Sequence, residues 1–364
     1  MNAFTQPVSQ PKLANRCSSL IALGLSCLMA THPLQADTNP SATWLTETAL
    51  VEKSATIAQF WQTEVKQQQL VTPDGVTLQL AYAKPAAAKA SIVLISGRTE
   101  SILKYQEMFY DLTQQGYAVF SYDHRGQGLS SRKLSDPQIG HINDFQQYVD
   151  DLHLVMQQWQ EQFVGQPVAL SHSMGGAVLS YYLAQHPNSF KAAAMVAPMH
   201  QANATLVFGP SDGCYVASAV SWACPECYAG FSSQPYRATP FENNPYTSSN
   251  IRYQRFRDAY QQHPQIQLGG PSWQWLQQAC DVAEALPAVA KNIRTPVLIM
   301  QAGADSIVTA AAQQQFCQQL GSACEGGRVE VIEGAQHELL IEADQYRLPT
   351  LSAIDAFYHK HLQL

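Results

Sequence analysis

The chain has 364 residues, of which 46% are hydrophobic and 13% charged, enough apolar content for a globular core and too little charge for a disordered tail or a coiled coil. Its length suits two domains, or one large α/β domain carrying an insertion. Lys plus Arg number 21 against 28 Asp plus Glu, a net charge of −7, which leaves no basic footprint for a phosphate backbone and excludes nucleic acid from the expected partners.

Residues 1–36 have the layout of a secretory signal. Lys12 and Arg16 precede an uncharged run from Cys17 to Ala30, and Ala36 supplies the small residue expected at a cleavage site. The apolar run is shorter than the ~17 to 25 residues that span a bilayer, which disfavours the competing reading of an uncleaved anchor. Export, to the periplasm or out of a bacterial cell, is therefore expected.

Loss of this segment takes Cys17 and Cys27 with it and leaves Cys214, Cys224, Cys227, Cys280, Cys317 and Cys324. An even number of cysteines in an exported chain favours disulfides. Cys317 is expected to pair with Cys324, because the chain must turn within a few residues around Gly321, and the other four are expected to staple the segment that carries them. Cys224 and Cys227 lack the second pair or flanking histidine of a four-ligand zinc site, so neither metal nor cofactor is expected.

After a lead-in over residues 37–70, Val71-Thr-Pro-Asp-Gly75 and the alternation Val76, Leu78, Leu80 predict a hairpin. Strands follow at 90–96, 117–122, 167–171 and 192–197, with helices at 102–115, 145–163 and 174–186 between them. The strands are near-continuous apolar runs, as in a parallel sheet covered on both faces. The alternation stops across 199–290, where aromatics, prolines and four cysteines mingle, and resumes with strand 296–302, helix 309–320, strand 328–332 and a helix over 344–361. The fold class expected is α/β, a mostly parallel central sheet with helices on both faces. Its core spans 71–198 and 291–364, with 199–290 inserted as a cap. The cap aromatics Trp222, Phe231, Trp273 and Trp275 are expected to form its own core and, in part, to roof an apolar pocket.

Val168-Ala-Leu-Ser-His-Ser-Met-Gly-Gly176 runs a buried strand through a serine into a helix. A nucleophile on so sharp a turn needs small residues two positions before and after it, and Ser171 and Gly175 meet that need, although glycine is usual at the first. Ser173 is the candidate nucleophile. Serine requires a base, and the base a carboxylate to orient it. Asp305 lies just past the strand ending at Ala302, and His337 just past the strand ending at Ile332, in the chain order this topology requires. The oxyanion of an acyl-transfer intermediate needs two donors, for which the backbone N–H groups of Met174 and Arg98 are the candidates. The Arg98 side chain is left as either a surface charge or a contact for a phosphate head group. His172 and His124 are expected to be structural or pocket-lining, His141 and His186 to be surface or capping residues, and Asp123 and Arg125 to form an ion pair bracing a Gly-rich loop.

These motifs resemble the α/β-hydrolase superfamily over most of residues 71–361, and within it the monoacylglycerol lipase and lysophospholipase group. Gly97-Arg-Thr-Glu-Ser101 with Lys104-Tyr105, Asp123-His-Arg-Gly-Gln-Gly-Leu-Ser130, Tyr148-Val-Asp-Asp-Leu152, His172-Ser-Met-Gly-Gly176, Arg252-Tyr-Gln-Arg255, Gly269-Gly-Pro271 and Glu325-Gly-Gly-Arg328 carry the likeness to bacterial lysophospholipases. Ser96-Gly97 stands where monoacylglycerol lipases have His-Gly, which leans toward the lysophospholipase branch. The resemblance implies Ser173, Asp305 and His337 as a catalytic triad, Arg98 and Met174 as oxyanion donors, and a small lipid ester as substrate, with transient contact at a membrane surface. A short-chain carboxylesterase or thioesterase, and a catalytically silent binding protein of the same fold, are the competing functions. The signal segment and the cysteine-bearing stretch 214–227 depart from the family pattern.

Overall fold

The computed structural model describes residues 44–204, 212–230 and 234–364. The signal segment and Phe231 lie outside the described residues. Two short helices, α1 (Glu47–Glu52) and α2 (Ser54–Thr63), lead into the hairpin of β1 (Lys66–Val71) and β2 (Thr77–Ala83). Then come β3 (Ala90–Ile95), α3 (Gln106–Gln114), β4 (Tyr117–Tyr122), α4 (Gln146–Trp159), β5 (Val168–His172), α5 (Met174–Gln185) and β6 (Ala193–Val196). Three helices follow without an intervening strand: α6 (Asp212–Ala223), α7 (Asn250–Gln262) and α8 (Trp273–Ala290). The chain ends with β7 (Val297–Ala302), α9 (Ala310–Leu320), β8 (Glu330–Ile332) and α10 (Asp344–Leu362).

The eight strands form one sheet in the order β1-β2-β4-β3-β5-β6-β7-β8. β1, β2 and β4 pair antiparallel, and every pair from β4 to β8 is parallel. Each residue of β3, β4, β5, β6 and β7 is buried, because helices cover both faces. Along β3, Val93 and Ile95 join the core formed with α4, α5, α8 and α9, whereas Ile92 and Leu94 join the opposite core with α3 and α10. Trp275, Ala279, Val282, Leu286 and Ala290 of α8 pack into the first of these cores, so this helix of the 199–290 segment is part of the layer over the sheet.

The order also locates a crevice. β4 lies on one side of β3 and β5 on the other, so the loops leaving β3 and β5 diverge at their carboxyl ends. Such a reversal leaves the groove where parallel α/β sheets place their ligands.

The expected disulfide Cys317–Cys324 is present, Cys214 joins Cys280 across α6 and α8, and Cys224 joins Cys227.

Two expectations need correction. Asp123 and Arg125 do not pair with each other. Arg125 reaches Asp151 (2.6 Å) and Asp74 (2.8 Å), tying the loop to α4 and to the β1–β2 turn. Asp123 instead accepts from the N–H groups of Ile102 and Leu129 and the hydroxyl of Ser101, and burial pushes its carboxyl up to about 7. His141 is not a surface residue but is buried, linking Ser272 at the start of α8 to Asn143.

The first described residues are bound into the core by polar contacts. Leu45 N–H donates to Asp111, and its carbonyl accepts from Arg252 (3.0 Å) and Arg347 (3.1 Å). The Glu47 N–H donates to Asp344. Arg252 also pairs with Glu107 and Asp344, and Arg347 with Asp111 and Glu107.

Candidate active site

Ser173 sits between β5 and α5 with φ 50° and ψ −120°, a conformation that costs a non-glycine residue about 1–3 kcal/mol and persists only where neighbours enforce it. Here they do. Its N–H donates to the Val196 carbonyl (3.1 Å), and its own carbonyl accepts from Gly176 and Met199 (2.8 Å each). Gly175 is required by space, since a Cβ there would lie 2.3 Å from the Ile95 carbonyl oxygen. Ser171 lies in β5 and is not among the residues with positive φ, so a side chain is tolerated where glycine is usual.

The structure brings the three sequence candidates together. His337 Nε2 lies 3.0 Å from Ser173 Oγ, and His337 Nδ1 lies 2.7 Å from Asp305 Oδ2. The second oxygen of Asp305 accepts from the N–H groups of Ile307 (2.7 Å) and Val308 (3.1 Å). Burial raises the Asp305 carboxyl, but the hydrogen bond and charge of His337 outweigh it and leave the pKa below the ordinary value. An ionised Asp305 accepts the proton on Nδ1, so Nε2 carries the lone pair that faces the serine. Ser173 and His337 are both buried.

Met174 opens α5, where its N–H has no acceptor within the helix. Arg98 lies on the loop after β3, and its side chain is enclosed rather than a surface charge. It donates to the Gly269 carbonyl (2.9 Å) and stacks at 4.9 Å over Trp275, and burial lowers its pKa to about 10.

Sequence reasoning missed a buried charge cluster behind the serine. Glu100 accepts from Lys104 Nζ (2.5 Å) and His172 Nδ1 (2.9 Å) on one oxygen, and from the Gly97 N–H and Tyr105 hydroxyl on the other. Lys104 also reaches Glu338 (2.6 Å), the residue after His337, while His172 Nε2 lies 3.3 Å from the His337 carbonyl. The cluster thereby joins the loop that carries Arg98, the residue before the serine and the loop that carries His337. Burial opposes every charge in it, yet Glu100 stays well below its ordinary pKa through Lys104 and His172, and Lys104 and His172 are raised by the two carboxylates. Glu100, His172 and Glu338 are the only metal-like grouping among the described residues, and Lys104 already supplies its cation. The i,i+4 spacing of Glu100 and Lys104 was the one sequence signal available.

Ser173 and His337 open into a cavity of about 740 Å³ that Met199, Phe256, Leu268 and Trp275 also line. Of the aromatics expected to roof it, Trp275 does so. Trp273 is absent from the lining, and Trp222 faces outward at 90% exposure.

The family described as serine aminopeptidase, S33 (Hydrolase_4) matches residues 86–344, most of the chain and all of the site. The chain belongs to this family. Lysophospholipase L2 of Escherichia coli K12 is 37% identical over 284 residues, 74% of this chain and 80% of that protein. Monoglyceride lipase of Rattus norvegicus is 32% identical over 136 residues, 37% of this chain and 43% of that protein. Among solved structures, a soluble variant of monoglyceride lipase from Saccharomyces cerevisiae in complex with a substrate analogue superposes with a TM-score of 0.64 at 19% identity, covering 82% of this chain and 95% of that one. This family member thus has the α/β-hydrolase fold that its motifs imply.

Proposed function

We propose that the chain is an exported serine hydrolase that cleaves the single acyl ester of a lysophospholipid or monoacylglycerol through an acyl-enzyme. The observation that carries this reading is His337 held between Ser173 Oγ and Asp305 at the floor of a cavity with an apolar wall. Ser173 attacks the ester carbonyl carbon while His337 Nε2 takes its proton, and Asp305 stabilises the imidazolium. The charge developing on the carbonyl oxygen meets the N–H groups of Met174 and Arg98. His337 then returns the proton to the departing glycerol alkoxide, and water, activated by the same imidazole, releases the fatty acid.

The relatives' names favour lipid esters, whereas the family's description names a peptidase. An aminopeptidase needs an unpaired carboxylate for the substrate's α-ammonium, and both carboxylates lining this cavity, Glu100 and Glu338, are already paired with Lys104 and His172. This supports the ester reading. Export rests on the pattern of residues 1–36 and accords with three disulfides, since such bonds belong to oxidising compartments. No helix among the described residues is long and apolar enough to cross a membrane. Tyr215 and Trp222 project from α6 at 80% and 90% exposure, a pair suited to transient contact with a lipid surface.

The test is hydrolysis by the purified protein of lysophosphatidylcholine, lysophosphatidylethanolamine, 1-monoacylglycerol and short p-nitrophenyl esters. Turnover that rises with acyl length and disappears in Ser173→Ala is expected. A flat profile from acetyl to decanoyl esters favours a short-chain esterase, and turnover retained by Ser173→Ala refutes the assigned nucleophile.

A further inference from the structure

The three buried arginines of the described residues meet carboxylates: Arg125 pairs with Asp74 and Asp151, Arg252 with Glu107 and Asp344, and Arg347 with Asp111 and Glu107, while the half-buried Arg132 is satisfied by three carbonyls. Three arginines line the Ser173 cavity; Arg237 is exposed to water, and the half-buried Arg98 and Arg257 meet no carboxylate among the described residues. Arg98 has a carbonyl and an indole ring as its neighbours. Arg257, on α7, donates to the Tyr236 hydroxyl (3.0 Å) and lies against the rings of Tyr253 (4.8 Å) and Phe256 (4.6 Å). The Nε of each is buried without a hydrogen-bond partner.

A guanidinium partly removed from water without a counter-charge carries a desolvation cost that an anion would offset. The carboxylates on the same wall do not serve, because Glu100 and Glu338 are held by Lys104 and His172. Besides the exposed Arg237, the cavity wall therefore carries two partly enclosed guanidinium groups with no carboxylate partner among the described residues, in a protein whose net charge is −7. A neutral glycerol head group offers such a wall hydroxyl acceptors but no counter-charge, whereas a phosphodiester brings one negative charge and oxygens suited to guanidinium donors.

We propose that Arg98 and Arg257 form the head-group site of the cavity and bind the phosphodiester monoanion of a lysophospholipid, which makes the enzyme prefer lysophospholipids to monoacylglycerols. The acyl ester then lies at Ser173, and the apolar side chains of the cavity take the acyl chain. This inference deepens the lysophospholipase reading and rests on it. Because the backbone of Arg98 also serves the reacting oxygen, Arg257 is the residue to vary.

The readout is the ratio of kcat/KM on lysophosphatidylethanolamine to that on the 1-monoacylglycerol of the same acyl chain, so that a general loss of activity divides out. Arg257→Gln should lower this ratio roughly tenfold to a hundredfold, the range expected for one hydrogen bond to a charged group, and Arg257→Lys should restore part of it. An unchanged ratio overturns the proposal even if both substrates are hydrolysed, and leaves the ester-hydrolase reading standing. The site is also tested apart from turnover of either lipid, by competition against p-nitrophenyl butyrate. Hexylphosphocholine should inhibit better than hexylglycerol, and Arg257→Gln should remove the difference. Equal inhibition by the two compounds overturns the site. Inorganic phosphate that competes as well as hexylphosphocholine overturns its assignment to a lipid head group.

Discussion

Replacing Glu100 with glutamine changes one atom and should unsettle three loops. Each carboxylate oxygen of Glu100 accepts from two donors, Lys104 and His172 on one and Gly97 and Tyr105 on the other. A glutamine has one accepting oxygen. Whichever way its amide is turned, the NH2 group faces a donor that cannot accept, the Gly97 N–H or the Lys104 ammonium, and no rotamer satisfies the site. The side chain is only 3% exposed, so water cannot make good the loss. An unsatisfied buried donor costs about 1–3 kcal/mol, and removing one partner from a buried ion pair costs about 3–5 kcal/mol. These are two views of one loss, so we expect destabilisation of about 3–5 kcal/mol, a large part of the roughly 5–15 kcal/mol a native protein has. Urea denaturation followed by tryptophan fluorescence, with disulfides intact, measures it. The double variant Glu100→Gln/Lys104→Met should recover part of the loss, because Glu338 and His172 then remain as a balanced pair. A loss below about 1 kcal/mol in the single variant, or no recovery in the double, would refute the view that the cluster is a charge-balanced unit.

Three further outcomes follow from the same geometry. Gly175→Ala places a Cβ 2.3 Å from the Ile95 carbonyl oxygen and 2.6 Å from that of Ser96, both rigid backbone. Ester turnover should fall by at least an order of magnitude as the Ser173 turn is displaced, and wild-type turnover in this variant would show that the turn tolerates a shift. Cys317 and Cys324 close a loop with a sequence separation of 7. Replacing both with serine should therefore cost about 2–3 kcal/mol in urea while the KM on a short p-nitrophenyl ester stays the same. A changed KM would tie this disulfide to the site. On acidification, Glu100 and Asp305, held below their ordinary values in the folded chain, should lose the stability they confer as the pH falls through those folded values, a contribution that is complete above about pH 4.5. His172, raised by its carboxylates, acts in the other direction: its contribution is full below about pH 6.5 and fades as the pH rises through its folded value. Glu100→Gln should flatten both limbs of the stability profile, and a pH dependence identical to wild type would exclude these groups as its source.

Chain order made the line of Ser173, Asp305 and His337 legible, because each lies just past a strand that its own apolar run announces. The close contact that requires Gly175 was legible for the same reason. The cluster behind them was not. Glu100 and Glu338 are 238 positions apart, and only the fold places Lys104 between them. The error over Asp123 and Arg125 had a similar source, since nearness in sequence stood in for partners that lie on β2's turn and on α4. Helix α7 gave no periodic signal because its buried residues are Arg252, Tyr253 and Tyr260 rather than an aliphatic stripe. Arg257, on that same helix, was missed with it.

Leu45 has a consequence for how much of the chain is needed. Its peptide groups satisfy Asp111, Arg252 and Arg347, groups otherwise tied to α3, α7 and α10. A protease that trims the amino terminus up to residue 43 leaves these contacts whole. One that cuts a few residues further on strips two buried guanidinium groups of a shared acceptor and exposes the apolar surface beneath Leu50 and Ile57. A variant lacking residues 1–45 should therefore unfold at lower urea than one lacking residues 1–43, and equal stability of the two would show that the Leu45 contacts are dispensable.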